Sequence, residues 1–313
     1  MSSVKRYNAF SDELKRVFNC KVQRISVDAA FSCPNRDGTL DTHGCIFCGG
    51  HGSGSYGIRR ELDISAQLED GKEVMRRKYR ASKFIAYFQA YSNTYAGVGL
   101  LQELYTEAIG VSDVVGLIIA TRPDCLPDDV LDYLQEISGH TYLWLELGVQ
   151  SIHDRSLKLI NRCHDHACSV DAIKRARNRG IRVCIHIILG LPGETHEEML
   201  AMAGELNRLG VDGVKLHLLH VMKGTVLEEM YGRGEVTVMD RDDYAALVCD
   251  FLELLDPRIL IHRLTGDGGR DNLVAPLWSL KKFEILNLID AEMERRGARQ
   301  GEKFTTPPHT TLS

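Results

Sequence analysis

Six short apolar runs, at residues 22–27, 84–88, 114–120, 142–149, 183–189 and 213–218, are each followed by a helix-compatible stretch. This alternation constrains the chain more than any single motif, because βα units repeated in series bury their strands in a parallel sheet covered by helices. The helix starts carry their own signals. Pro127 suits a first turn, and Thr195 with Glu198 and Thr225 with Glu228 have the spacing of capping boxes. Such a series fits a partial barrel better than an open dinucleotide-binding sheet, whose first strand would lead into Gly-x-Gly-x-x-Gly. No such run directly follows residues 22–27.

After residue 222 the alternation stops. Two long helical patterns remain, at 240–255 and 276–296, separated by a strand-like run at 259–264 and a glycine-rich stretch at 266–269. The expected fold is α/β: a partial (β/α)6 TIM-like barrel over 21–222, preceded by a helical cap over 1–20. A mainly helical C-terminal extension follows over 223–313, with a mobile tail from Gly301.

A chain of 313 residues can bury a large core, and its net charge of −5 gives no global attraction to nucleic acid. Nine cysteines, an odd number and mostly isolated, do not form a paired secreted framework and point to a reducing compartment. The first residues are polar and charged through Lys15 and Arg16, and the longest apolar runs are strand-sized. The expectation is a soluble cytoplasmic protein with no membrane partner.

Cys33, Cys45 and Cys48 share one glycine-rich loop directly after the first strand-like run. Three clustered thiolates suit zinc or an iron–sulfur cluster, and a missing fourth ligand leaves the open position of a catalytic centre. A structural zinc knuckle completed by His43 or His51 is the alternative; His43 lies only two residues before Cys45, an awkward reach for a tetrahedral site. A loop leaving the first barrel strand places its metal at the C-terminal face, where barrel enzymes hold their active sites.

The collinear set FSCPNRDG at 31–38, AYFQAY at 86–91, TRPDC at 121–125, LWLELG at 143–148, GLPGE at 190–194 and APLW at 275–278 resembles the radical S-adenosylmethionine (SAM) superfamily. Within it, the set is most similar to the YhcC/YtqA-type family, related to the catalytic subunit of the elongator complex. The resemblance implies a [4Fe-4S] cluster on Cys33, Cys45 and Cys48, with SAM chelated at the fourth iron and cleaved reductively to a 5′-deoxyadenosyl radical. It also implies an electron donor such as flavodoxin or ferredoxin. Phe47 then matches the aromatic that shields the cluster. Gln89 begins the turn where relatives receive the methionyl amine, although their glycines are absent here. Gln150 and Arg162 match residues that contact the ribose and carboxylate of SAM, a role suited to the guanidinium fork. His186 stands where distant relatives bind the ribose, and Ala120 stands where the elongator subunit has a glutamate. Glu146, alternating with inward apolar neighbours, needs a partner, either the methionyl amine or Arg122.

Lys215, His217, His220, His262 and Arg263 are expected on the substrate side of the barrel. Tyr91, with Tyr95 and Trp278, is expected on a rim that holds a flipped base. Basic runs at Arg76, Arg77, Lys78 and Arg80, and at Lys174, Arg175, Arg177, Arg179 and Arg182, are either solvated helix faces or contacts to a phosphate backbone. The resemblance implies tRNA as partner, and conversion of a carboxymethylaminomethyl group on carbon five of the wobble uridine to aminomethyl. Two other classes stay open: a radical SAM enzyme acting on a small metabolite, and a non-catalytic metal-binding interaction protein.

Overall fold

The structure, a computed structural model, describes residues 5–50, 58–266 and 268–305. His51 and the tail beyond residue 305 lie outside the described residues. The six expected strands are all present: β1 (Val22–Val27), β2 (Lys83–Phe88), β3 (Val114–Thr121), β4 (Tyr142–Gln150), β5 (Arg182–Leu189) and β6 (Gly213–Leu218). Three short strands follow, β7 (Val221–Met222), β8 (Leu260–Arg263) and β9 (Leu273–Ala275). The main sheet is parallel, in the order β1-β2-β3-β4-β5-β6-β8, while β7 and β9 form a separate antiparallel pair.

The architecture is the expected partial barrel, with one difference. The segment read as a helical extension supplies a seventh strand, the run at 259–264, which pairs in parallel with β6. A four-residue strand carries little periodic signal of its own, and what recruits it is the open edge of β6. The outer edge of β8 is covered in turn: the Ile261 amide donates to the Asn8 carbonyl at 2.8 Å, and Ala9 bridges Ile261 in parallel. The later helices Arg241–Leu254 and Lys282–Arg295 place Tyr244, Phe251, Ile285 and Ile289 in the same apolar core as the barrel helices.

Alternation along the strands separates two environments. On β2, Phe84, Ala86 and Phe88 pack outward under the helices with Leu117, Leu145 and Ile185. Ile85 and Tyr87 face inward, with Ile118, Trp144 and Cys184. The inward side is closed at the bottom by the helix Phe10–Phe18, whose Phe10 meets Trp144 edge-on at 5.4 Å and stacks on His262 at 3.8 Å. The Thr195 capping box forms as expected at the start of His196–Leu209. At Thr225 only half of it does, because Glu228 accepts from the Gly224 amide at 2.7 Å instead. Pro127 sits at the N-cap of Asp128–Ser138, one position earlier than expected.

Phe10 is the main apolar stopper of the barrel floor, so Phe10→Ala should cost about 3–5 kcal/mol. Chemical denaturation should show a lower midpoint with an unchanged slope, and a loss below about 1 kcal/mol would mean that the floor collapses around the gap.

Candidate functional site

The three-cysteine loop is held by hydrogen bonds to a segment distant in sequence. Asp41 is their centre: it accepts from the amides of Thr42 and His43 at 2.5 and 3.0 Å, and from Asn161 Nδ2 at 2.8 Å. These bonds, that from Asn161 foremost, hold the Asp41 carboxyl well below the usual range. Asn161 Nδ2 also donates to the Gly44 carbonyl at 2.9 Å, and Asn35 Nδ2 donates to the Asn161 carbonyl at 2.6 Å. The Ile46 amide joins the Ile160 carbonyl at 3.2 Å. The loop is thereby fixed against the chain that follows β4.

Cys33, Cys45 and Cys48 line one end of a cavity of about 570 Å³ at the C-terminal ends of the strands. Asn35 Nδ2 and Arg162 Nη1 both approach the Cys45 sulfur at 3.6 Å. Desolvation, and then the neighbouring Cys45 and Cys33, push the Cys48 thiol up to about 11. Such a thiol becomes a thiolate when a multiply charged metal centre shares its space. Among the described residues no three His, Cys, Asp or Glu side chains converge on a single ion position. A cluster does not require this, since each thiolate takes a different iron. His43 is 79% exposed at its side chain and bonded to Asp41 at 2.8 Å, so the knuckle reading receives no fourth ligand from it.

Below the cysteines the cavity walls are polar. Glu146 on β4 is buried; its Oε1 accepts from Tyr87 on β2 at 2.7 Å and from Lys215 on β6 at 2.6 Å. Burial opposes the charge on both groups, but the ammonium holds the Glu146 carboxyl below its ordinary value. Lys215 is itself lowered, by burial first. Gln89 donates to Ser26 Oγ at 2.7 Å. Gln150 and Arg162 meet over Gly148: a Cβ there would lie 2.8 Å from Gln150 Nε2 and 3.0 Å from Arg162 Nη2, while Arg162 also donates to the Gly148 carbonyl.

His186, His217 and His220 form a row with ring centroids 5.4 and 4.9 Å apart, covered by the backbone of Gly266, where any side chain would collide with two of the rings. Burial holds His186 and His217 neutral, well below the usual imidazole range. Several residues that line this cavity carry a buried polar atom with no partner among the described residues, among them Glu146 Oε2, Gln150 Oε1, Arg162 Nε and His186 Nε2. Phe47 and Tyr91 complete the wall, Tyr91 donating to the Gly50 carbonyl at 2.7 Å.

Several expectations are corrected. Glu146 does not pair with Arg122, which forks onto Asp124 at 2.8 and 2.7 Å. His262 does not face the substrate side: the irregular register between β6 and β8 turns it into the floor against Phe10 and Trp144, and only Arg263 lines the cavity. The basic runs do not form a rim. Arg175 and Arg179 tie the helix His166–Asn178 to Asp128 and Asp132, Arg177 reaches the Leu209 carbonyl, and Arg76 pairs with Asp113. Trp278 packs on Tyr244, its indole bonded to the Met239 carbonyl at 3.2 Å, and Tyr95 bonds Thr39 away from the cavity. Asn35, Arg36 and Asn161 were missed as site residues. The first two lie inside a motif already noted, and Asn161 carries a φ of 53°, a left-handed position that asparagine tolerates.

Comparison with known proteins gives a consistent set. The family profile described as Radical SAM superfamily matches residues 42–206, and the Radical_SAM C-terminal domain matches 211–295. The protein YtqA of Bacillus subtilis (strain 168) is 46% identical over 96% of this chain and 93% of its own. The tRNA uridine(34) acetyltransferase of Dehalococcoides mccartyi is 34% identical over 49% of this chain and 33% of its own. Methanocaldococcus infernus Elp3 with an N-terminal deletion superposes with a TM-score of 0.68 at 19% identity, covering 89% of this chain and 64% of that one, a likeness of fold. No helix among the described residues is long and apolar enough to cross a membrane.

The ion pair across the interior predicts strong non-additivity. Lys215→Met strands a buried carboxylate and should cost about 3–5 kcal/mol, whereas Lys215→Met combined with Glu146→Leu should recover most of it. Additive losses in a double-mutant cycle would show that the two charges are not coupled.

Proposed function

The chain belongs to the radical SAM superfamily, and on that premise we propose that it modifies the wobble uridine of tRNA, converting a carboxymethylaminomethyl group on carbon five to aminomethyl. It is a radical SAM enzyme, and its cofactors are a [4Fe-4S] cluster and SAM. When bound, these supply a 5′-deoxyadenosyl radical that abstracts hydrogen from the substrate.

The observation that carries the reading is one cavity beside three cysteines, lined by Glu146, Gln150, Arg162 and His186, each with a buried polar atom left without a partner among the described residues. In this reading Cys33, Cys45 and Cys48 hold the cluster, and Phe47 shields it. Arg162, already on the Cys45 sulfur, offers Nε to the carboxylate of SAM, and Gln150 and His186 offer polar atoms to its ribose. Glu146, with one oxygen committed to Lys215 and Tyr87, presents the other to the methionyl amine, and Gln89 lies on the same wall. Tyr91, Lys215, His217, His220 and Arg263 line the space left for substrate. The similarity to a tRNA uridine(34) acetyltransferase supports RNA as partner. A reductant is required by the chemistry; a flavodoxin or ferredoxin, and a cytoplasmic setting, belong to this reading.

A small-metabolite substrate is the second reading. It is favoured by one observation: the arginines expected to grip phosphate are engaged in helix-to-helix ion pairs or on backbone carbonyls.

Cys33→Ala, Cys45→Ala and Cys48→Ala should each abolish the cluster, while Cys125→Ala and Cys249→Ala should keep it; full iron and sulfide in Cys48→Ala would overturn the ligation. Arg162→Ala should weaken SAM binding about ten- to a hundredfold with the cluster retained, as measured by equilibrium binding. Deoxyadenosine formation should accelerate with tRNA carrying the modified uridine and only weakly with unmodified tRNA, since a positioned hydrogen donor traps the radical. If tRNA has no effect, and nucleosides from cells lacking the gene match the parent, the small-metabolite reading takes its place.

A further inference from the structure

Cations crowd this cavity in a chain that is acidic overall. Arg24, Arg36, Arg122, Arg162, Lys215 and Arg263 line it, and among the described residues Glu146 is the one carboxylate that does. Five of them have partners: Arg36 has the Cys48 carbonyl, Arg122 has Asp124, Arg162 has Gly148 and Cys45, Lys215 has Glu146, and Arg263 is partnered as well. Arg24 makes no hydrogen bond or ion pair among the described residues.

The position of Arg24 is informative. It comes from β1 and Arg263 from β8, the two edges of the incomplete barrel. Arg24 precedes the end of β1 by three residues, and Arg263 pairs in register with Lys215, three residues before the end of β6. At the rise of a strand, both lie about 10 Å below the rim. Their charges act on one interior: both bear on Tyr87 and Lys215, helping burial to lower the lysine against the pull of Glu146.

We propose that Arg24 and Arg263 form an anion subsite between the two barrel edges, and that the group it takes is a carboxylate carried on the reacting side chain of the substrate. This rests on the wobble-uridine reading. A substituent on carbon five of uracil projects away from the sugar, so a base entering from the rim carries its terminal carboxylate deepest, while the backbone phosphates stay outside. A guanidinium fork matches a carboxylate, and one left uncompensated in a half-buried wall gains more from it than an exposed one would.

The test uses cluster-loaded, SAM-bound protein, titrated anaerobically by calorimetry with the nucleosides 5-carboxymethylaminomethyluridine and 5-aminomethyluridine. The first should bind about ten- to a hundredfold more tightly. That preference should vanish in Arg24→Gln and return in part in Arg24→Lys, with SAM affinity and cluster absorption unchanged. Equal binding of the two nucleosides, no binding of either, or a preference that survives Arg24→Gln overturns the subsite. So does a loss of SAM affinity in Arg24→Gln, which would give this arginine to the cofactor. The wobble-uridine reading fails by a different sign, deoxyadenosine formation indifferent to tRNA, whatever Arg24 does.

Discussion

A carboxylate buried beside an ammonium and a phenol, midway up an incomplete barrel, governs what can lie above and below it. Glu146, Lys215 and Tyr87 come from β4, β6 and β2, so their bonds tie strands across the interior and not only along the sheet. Desolvating either charge alone is costly, and the pair persists because each satisfies the other at 2.6 Å. Below it the barrel can be apolar and closed, as it is around Phe10 and Trp144. Above it the wall must stay polar, because one oxygen of Glu146 remains to be served.

The three-cysteine loop depends on a second tie of another kind. A loop rich in glycine has little core of its own beyond Ile46, which packs with Leu157 and Ile160, and Asp41, Asn35 and Asn161 fix it to the turn after the helix Asp154–Leu159. The same turn delivers Arg162 onto the Cys45 sulfur, so one local structure positions both the cysteine sulfurs and a cation beside them. Gly148 is the corresponding requirement on β4, since the space of a methyl group there is taken by Gln150 and Arg162.

Much of this was legible in the chain. The six strand runs appear within a residue of their expected limits, because strands buried on both faces are near-continuous apolar runs, readable without tertiary context. Cys33, Cys45, Cys48, Gln150, Arg162 and Glu146 meet at one cavity because successive strand ends in a parallel barrel share a face. Other features were not legible. The strand-like run at 259–264 does not show that it joins the barrel sheet beside β6, and His262 and Arg263 are adjacent residues whose opposite fates turn on a register irregularity. The arginines near 175–179 look like a phosphate rim in sequence, because a charge run does not show which carboxylates face it.

The sequence by itself determined the alternation of strand and helix, the family motifs and the clustering of three cysteines in one loop, since each is written in local order: period, spacing and residue type. The tertiary structure decided which charge meets which. Glu146 and Lys215, and Asn35 and Asn161, are brought together only by the folded sheet and its loops, and Coulomb and hydrogen-bond energies depend on distance through space, which separation along the chain does not encode.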